Sequence, residues 1–175
     1  MNYVDNEVLY QNICKWKQDI SDAGHHIKMP DSIGIDIMKI AKGFTGYWKF
    51  SGYTQNWKDG MISDAIEAVV KGLVNFDETT YKNPHAYITM ACYRAFIGRI
   101  KYEKREMVAK YRYFIENVYD EHDSDMAKIA DENFIQDIHG KIVAYEASIK
   151  SRKKKDTADR PNLDSFYEDE PETQP

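Results

Sequence analysis

The run WKDGMISDAIEAVVKGL, residues 57 to 73, places Met61, Ile62, Ala65, Ile66, Val69, Val70 and Leu73 three and four residues apart. Side chains at that spacing share one face of a 3.6-residue helix, which predicts an amphipathic helix from Trp57 to Leu73 that must bury its apolar face against partners. The neighbouring segments supply them. Upstream, Val8, Leu9, Ile13, Trp16 and Ile20 predict a helix from Asp5 to about Ile20, with Ser21, Gly24 and Pro30 marking the loop that follows. After Pro30, Asp31 or Ser32 is placed to cap a second helix lined by Ile33, Ile37, Ile40 and Ala41, which Gly43 and Gly46 interrupt. The aromatic stretch from Tyr47 to Tyr53 reads as a packed loop.

Downstream, Asn75 to Asn83 is a polar connection, and Pro84 fits the first turn of a long helix carrying Ile88, Ala91, Cys92, Ala95, Phe96 and Ile100. Phe134, Ile135, Ile138, Ile142, Tyr145 and Ile149 predict a further helix from about Asn133 to Lys150. No segment alternates with the period of a strand. The expected fold is all-α: a compact helical domain over residues 1–150, then a flexible tail over 151–175 that is basic at first and acidic at its end.

The chain has 175 residues, 42% hydrophobic, 13% aromatic and 30% charged, with a net charge of -5. That composition buries a core and excludes a wholly disordered regulator, while the length is short for a two-domain enzyme. No apolar run is long enough to span a bilayer, and the N-terminus lacks a secretion signal, so neither a membrane protein nor a secreted one is expected. Cys14 and Cys92 stand far apart without ligands at zinc spacing, in keeping with a reducing cytoplasm.

Enzyme signatures are missing: there is no glycine-rich phosphate loop, no nucleophile elbow and no paired-histidine metalloprotease motif. The stretch Asp120, Glu121, His122, Asp123, Asp125 lacks the glycine and the oxygen spacing of a calcium loop and reads as a solvated acidic loop. His85 and His139 are isolated. No catalytic residue, metal or cofactor is expected.

Charge is distributed in blocks. From Lys82 to Arg112 eight cations face two carboxylates, a balance of +6, and from Glu116 to Asp137 eight carboxylates face one lysine, a balance of -7. In the basic block, Tyr87, Tyr93, Phe96 and Tyr102 are interleaved with Arg94, Arg99, Lys101, Lys104 and Arg105. Aromatics stack on exposed bases while cations neutralise phosphates, which points the block to nucleic acid. The plainer reading puts the aromatics in the core beneath a solvated charged face. In the tail, Leu163, Phe166 and Tyr167 are large apolar residues in acidic surroundings, as in short peptides that anchor in a partner's groove.

In order, Met61, Ile62, Ser63, Asp64, then Lys71, Gly72, Leu73, Phe76, Asp77, Tyr87, Tyr93, Arg94, Ala95, Phe96 and Ile97 resemble the second conserved region of bacterial sigma factors. FSGYTQNWK (50 to 58), NFDET (75 to 79), YKNPHAYIT (81 to 89) and FIQDI (134 to 138) are similar to the late-transcription sigma factors of T-even-type bacteriophages, over about Tyr3 to Tyr167. The resemblance implies a non-enzymatic sigma factor in the cytoplasm of the infected bacterium. It would direct host core RNA polymerase to late promoters carrying a TATAAATA-type element, stimulated by the phage's DNA-loaded sliding clamp and a late co-activator.

Carried onto this sequence, the resemblance implies that Asp64, Glu67 and Lys71 meet the coiled coil of the largest polymerase subunit while Ile62, Ile66 and Val69 face inward. Arg94 aligns with a base-reading position, Tyr87 and Tyr93 would stack on unpaired bases, and Arg99, Lys101 and Arg105 would hold phosphates. Leu163, Phe166 and Tyr167 would form the clamp-binding peptide, with Ser165 where the family has an apolar residue. Primary sigma factors carry paired tryptophans where this chain has Met90 and Ala91, so strand opening is expected to use other groups. The chain also leaves no length for a separate domain reading a far upstream element. The competing class is a helical DNA-binding repressor or adaptor that never joins polymerase; a metal-dependent nucleic-acid-processing protein is a third.

Overall fold

The computed structural model describes residues 4–158 apart from 121 and 124, with side chains followed to Ser151 and not at 127. Among these residues the secondary structure is all-α, in seven α-helices: α1 (Asn6–Ala23), α2 (Asp31–Phe44), α3 (Trp48–Ser51), α4 (Gln55–Gly72), α5 (Pro84–Asn117), α6 (Met126–Ile129) and α7 (Glu132–Ala158). A 3-10 turn, Leu73–Asn75, extends α4. None of these helices is long and apolar enough to cross a membrane. The chain folds as two compact units, the first ending at Glu103 and the second beginning at Lys104, so that the boundary falls inside α5. The expected tail over 151–175 lies largely outside the described residues, although α7 carries helical backbone to Ala158, past the expected end at Lys150.

In the first unit, local sequence signals set the helix ends. The Asp5 carboxylate accepts from the amides of Glu7 and Val8 at 2.9 and 3.2 Å, an N-cap for α1. Gly24, at φ 67°, closes the helix by donating its amide to the Ile20 carbonyl, a left-handed C-cap that a residue with a Cβ adopts only at a cost. The capping side chain expected at Asp31 or Ser32 is not used. Pro30 occupies the N-cap with its carbonyl accepting from Ile33 and Gly34, because its fixed φ already delivers the chain into the first turn; Asp31 is the first helical residue.

Burial follows the spacing. Leu9, Ile13 and Trp16 of α1, Ile33, Ile37 and Ala41 of α2, and Met61, Ala65, Val69 and Leu73 of α4 and its extension enclose one core with Ile88, Cys92 and Phe96 of α5. Helix α2 packs against both α1 and α4. On α4 the fully buried line is thus a strict four-residue seam. Ile62 and Ile66, expected to face inward, flank it half-buried, and Val70 is exposed. The stretch Tyr47 to Tyr53 is not wholly a loop, for α3 forms within it around Phe50. That ring is fully buried, edge-on to Phe96 at 5.0 Å and tilted against Phe44 at 5.4 Å, which stabilises a helical turn too short to persist alone.

Polar side chains of α1 hold the segment leading into α5. The Tyr10 hydroxyl donates to the Glu78 carbonyl at 2.9 Å, and Lys17 reaches the Phe76 carbonyl at 2.5 Å as well as the Glu78 carboxylate. Asn6 accepts from the His85 amide at 3.1 Å, and Asn83 accepts from the Ala86 amide at 2.9 Å, so the first amides of α5 have side-chain partners. Between them Asp77 accepts from the Thr79 amide and hydroxyl and from the Thr80 amide, bonds that favour the ionised form and draw its carboxyl down to about 2.

In the second unit, Val108, Ala130 and Ile138 are buried. Phe114 meets Phe134 edge-on at 6.2 Å, Arg112 pairs with Glu146, and Lys141 lies 5.7 Å over the Tyr111 ring while paired with Asp137. Asp131 accepts from the Phe134 amide at 2.8 Å and so starts α7 just before the expected Asn133.

Two measurements check these assignments. Phe50→Ala removes a fully buried ring from the aromatic cluster and should lower the unfolding free energy by about 3–5 kcal/mol in urea titration. Asp77 titrates at about 2 in the folded chain against its ordinary 3.8. The stabilisation from its charge is therefore complete above about pH 4 and fades as pH falls through about 2. Asp77→Asn keeps an acceptor without the charge, so its thermal midpoint should lie below that of the parent at neutral pH and converge with it on acidification to about pH 2.

Candidate nucleic-acid interface

Because α5 turns Ile88, Cys92, Phe96 and Ile100 inward, the opposite line of Met90, Arg94, Gly98 and Lys101 faces solvent. Burial pushes the Cys92 thiol up to about 11, so it remains a protonated core side chain. Arg94 and Lys101 are exposed, and no described residue accepts a hydrogen bond or ion pair from either. Beside Arg94, Tyr93 is half-buried with its ring edge-on to Phe50 at 6.0 Å. Its hydroxyl accepts from Lys49 Nζ at 2.7 Å, and the same ammonium lies 5.0 Å from the ring centroid. The hydrogen bond to Tyr93 raises the Lys49 pKa, so this cation stays charged.

The remaining predicted DNA contacts have internal partners. Tyr87 donates its hydroxyl to the Gly72 carbonyl at 2.9 Å and packs edge-on against Phe76 at 5.2 Å, tying α5 to the end of α4. Arg99 donates to Glu103 at 2.8 Å and lies 3.5 Å from the Asp64 carboxylate. Its guanidinium rests over Gly60, where an added Cβ would come within 2.7 Å of Arg99 Nε. Glycine at 60 thus permits the close approach that lets one arginine join α4 to α5. Arg105 belongs to the second unit, 3.7 Å from Glu106.

Of the three residues expected to meet polymerase, Asp64 is half-buried against Arg99. Glu67 and Lys71 are exposed and pair with each other at 2.5 Å, which lowers the Glu67 pKa. They form an open polar ridge on α4. Leu163, Phe166 and Tyr167 lie outside the described residues. Among the described residues no three His, Cys, Asp or Glu side chains converge to hold a metal ion.

One feature was missed in the sequence. The end of α2, the turn into α3 and the first turns of α5 frame a groove of about 460 Å³ lined by Phe44, Tyr47, His85, Thr89, Met90 and Tyr93. Phe44 and Tyr47 stack at 5.6 Å with an interplanar angle of 9°, and Trp48 follows at 5.6 Å from Tyr47 with its side chain in water. The available signal was the density of aromatics just past the glycines that end α2, which spacing alone cannot divide between core and surface.

The arginines differ in a way that unfolding can read. Arg99→Ala strands two carboxylates and should cost about 1 kcal/mol in chemical denaturation. Arg94→Ala removes a side chain without an internal partner and should leave the denaturation midpoint where it was.

No protein-family model matches this sequence, and no curated protein shows significant similarity to it.

Proposed function

We propose that the chain is a small sigma-type transcription factor: it joins bacterial core RNA polymerase through the α4 ridge and reads promoter DNA with the exposed face of α5. The observation that carries this reading is Arg94, an exposed arginine without an internal acceptor among the described residues. It stands beside Tyr93 at the position which the resemblance aligns with base reading. Arginine pairs with phosphate and also stacks its planar guanidinium on bases, neither of which needs a guanine in the site, so an unpartnered one flanked by an aromatic suits DNA better than a structural role. The open Glu67–Lys71 pair supports a polar helix-on-helix dock. The sigma assignment itself rests on the sequence blocks quoted above.

On this reading the DNA target is a TATAAATA-type late promoter element, and the site of action is the cytoplasm of an infected bacterium. The phage sliding clamp, held through Leu163, Phe166 and Tyr167, and a late co-activator complete the partners. Tethering by the clamp raises the local concentration of the factor at DNA without any added base contact.

The test is transcription from a supercoiled template carrying TATAAATA with bacterial core polymerase. The parent chain should bind the core enzyme and start transcripts at one site. Arg94→Ala with Tyr93→Ala should cut initiation about tenfold or more while leaving core binding intact, and Glu67→Lys with Lys71→Glu should weaken core binding. Failure of the parent chain to bind core polymerase would hand the protein to the repressor or adaptor class.

A further inference from the structure

The second unit is short of apolar cover. There α7 packs along the part of α5 that begins at Lys104, and among the described residues only Val108, Ala130 and Ile138 are buried. A helix hides its apolar stripe only against another element, and two helices side by side leave their seam open. Along it runs a groove of about 540 Å³ with Val108, Ala109, Tyr113, Tyr145 and Ile149 in its walls. Tyr113 is 64% exposed, although its ring has this apolar surface beside it.

The chain itself carries a segment of matching chemistry. From Leu163 to Glu172 it has three large apolar residues, Leu163, Phe166 and Tyr167, and five carboxylates without a cation. On α5, from Lys104 to Asn117, the cations Lys104, Arg105, Lys110 and Arg112 face Glu106 and Glu116, a balance of +2. Arg112 pairs with Glu146 and Arg105 lies beside Glu106, whereas the exposed Lys104 and Lys110 have no acceptor among the described residues. An apolar groove flanked by two available ammonium groups suits an acidic peptide with apolar anchors.

The distance also fits. Helix α7 runs to Ala158, about 14 Å past Ile149 at the rise of a helix, and five extended residues from Ala158 to Leu163 cover about 17 Å. Pro161 has no amide to donate to a further helical turn, so reversing the chain there forfeits no helical bond at that residue. A tether this short supplies a millimolar effective concentration, which populates even a weak contact.

We propose that in the free chain the segment 163–167 docks in this groove in cis, its apolar side chains on Val108, Tyr113, Tyr145 and Ile149 and its carboxylates toward Lys104 and Lys110. Leu163, Phe166 and Tyr167 are also the clamp peptide of the proposed function, so groove and clamp compete for the same three side chains, and the peptide stays covered until the clamp displaces it. That consequence rests on the sigma reading; the docking does not.

The experiment is amide hydrogen exchange of the full chain at low salt, read by mass spectrometry, with a synthetic peptide of residues 159–175 as the unprotected reference. Amides of the segment should exchange about threefold or more slowly in the parent than in the peptide, equally at two protein concentrations tenfold apart. Ala109→Glu sets a carboxylate in the exposed groove wall and keeps a good helix former, and Phe166→Ala removes an anchor; each should return the segment to the rate of the peptide. Ala109→Lys should retain protection. Because Ala109 is exposed, circular dichroism of the variants should match the parent.

A parent segment that exchanges as fast as the peptide, or protection that survives either Ala109→Glu or Phe166→Ala, overturns the docking. Protection that fades on dilution overturns docking in cis and gives the groove to the tail of a second copy. Neither polymerase nor clamp enters this measurement. Core-polymerase binding of the parent, measured separately, decides the sigma reading alone.

Discussion

The four-residue seam of α5 is the constraint from which the rest follows. Ile88, Cys92, Phe96 and Ile100 are all buried, and α4 with its 3-10 extension answers with Met61, Ala65, Val69 and Leu73 at the same interval. A helix that buries every fourth residue has no rotational freedom left, since turning it by one position would place Lys101 or Arg99 in the core at a cost of several kcal/mol. Exposure of the cationic line is therefore a consequence of apolar packing rather than a separate design. Gly60 leaves room on α4 where α5 comes near, and Arg99 fills it with a charge satisfied from both helices.

The segment between α4 and α5 shows how the first unit fixes the start of that helix. Residues 76 to 83 have no regular structure of their own, yet their carbonyls and amides find partners in Tyr10, Lys17, Asn6 and Asp77. Unsatisfied backbone groups there would cost more than these bonds contribute individually, so α1 acts as a polar strap that sets where α5 begins. The strap lies far in sequence from the exposed arginine whose place it helps to determine.

Periodicity made the helices legible because a buried face leaves a regular trace in the sequence. Its resolution ended at two kinds of position. At helix starts, Pro30 replaced the side-chain cap that Asp31 or Ser32 offered, since a fixed φ and a capping carboxylate are alternative ways to begin a helix. Among aromatics, the pattern could not tell which rings were core: Phe50 and Phe96 are, Trp48 and Tyr102 are exposed, and Tyr87 and Tyr93 sit half-buried with different engagements. The cation block was equally divided, because charge counts say nothing about partners. Arg99 is tied down by Asp64 and Glu103, whereas Arg94 is not, and only the packing of α4 beside α5 separates them.

That separation bears on how such a protein would work. With a net charge of -5, the free chain gains little from long-range attraction to DNA, and a few exposed cations supply only a shallow, salt-sensitive affinity. A factor of this kind does not search DNA well by itself. Held beside DNA by a larger assembly, the same few groups need only discriminate, and discrimination comes from short-range contacts that screening barely touches. Weak free binding and strong local chemistry are then compatible, because on the proposed reading recruitment and DNA contact fall to different surfaces, the polar ridge of α4 for one and the exposed face of α5 for the other.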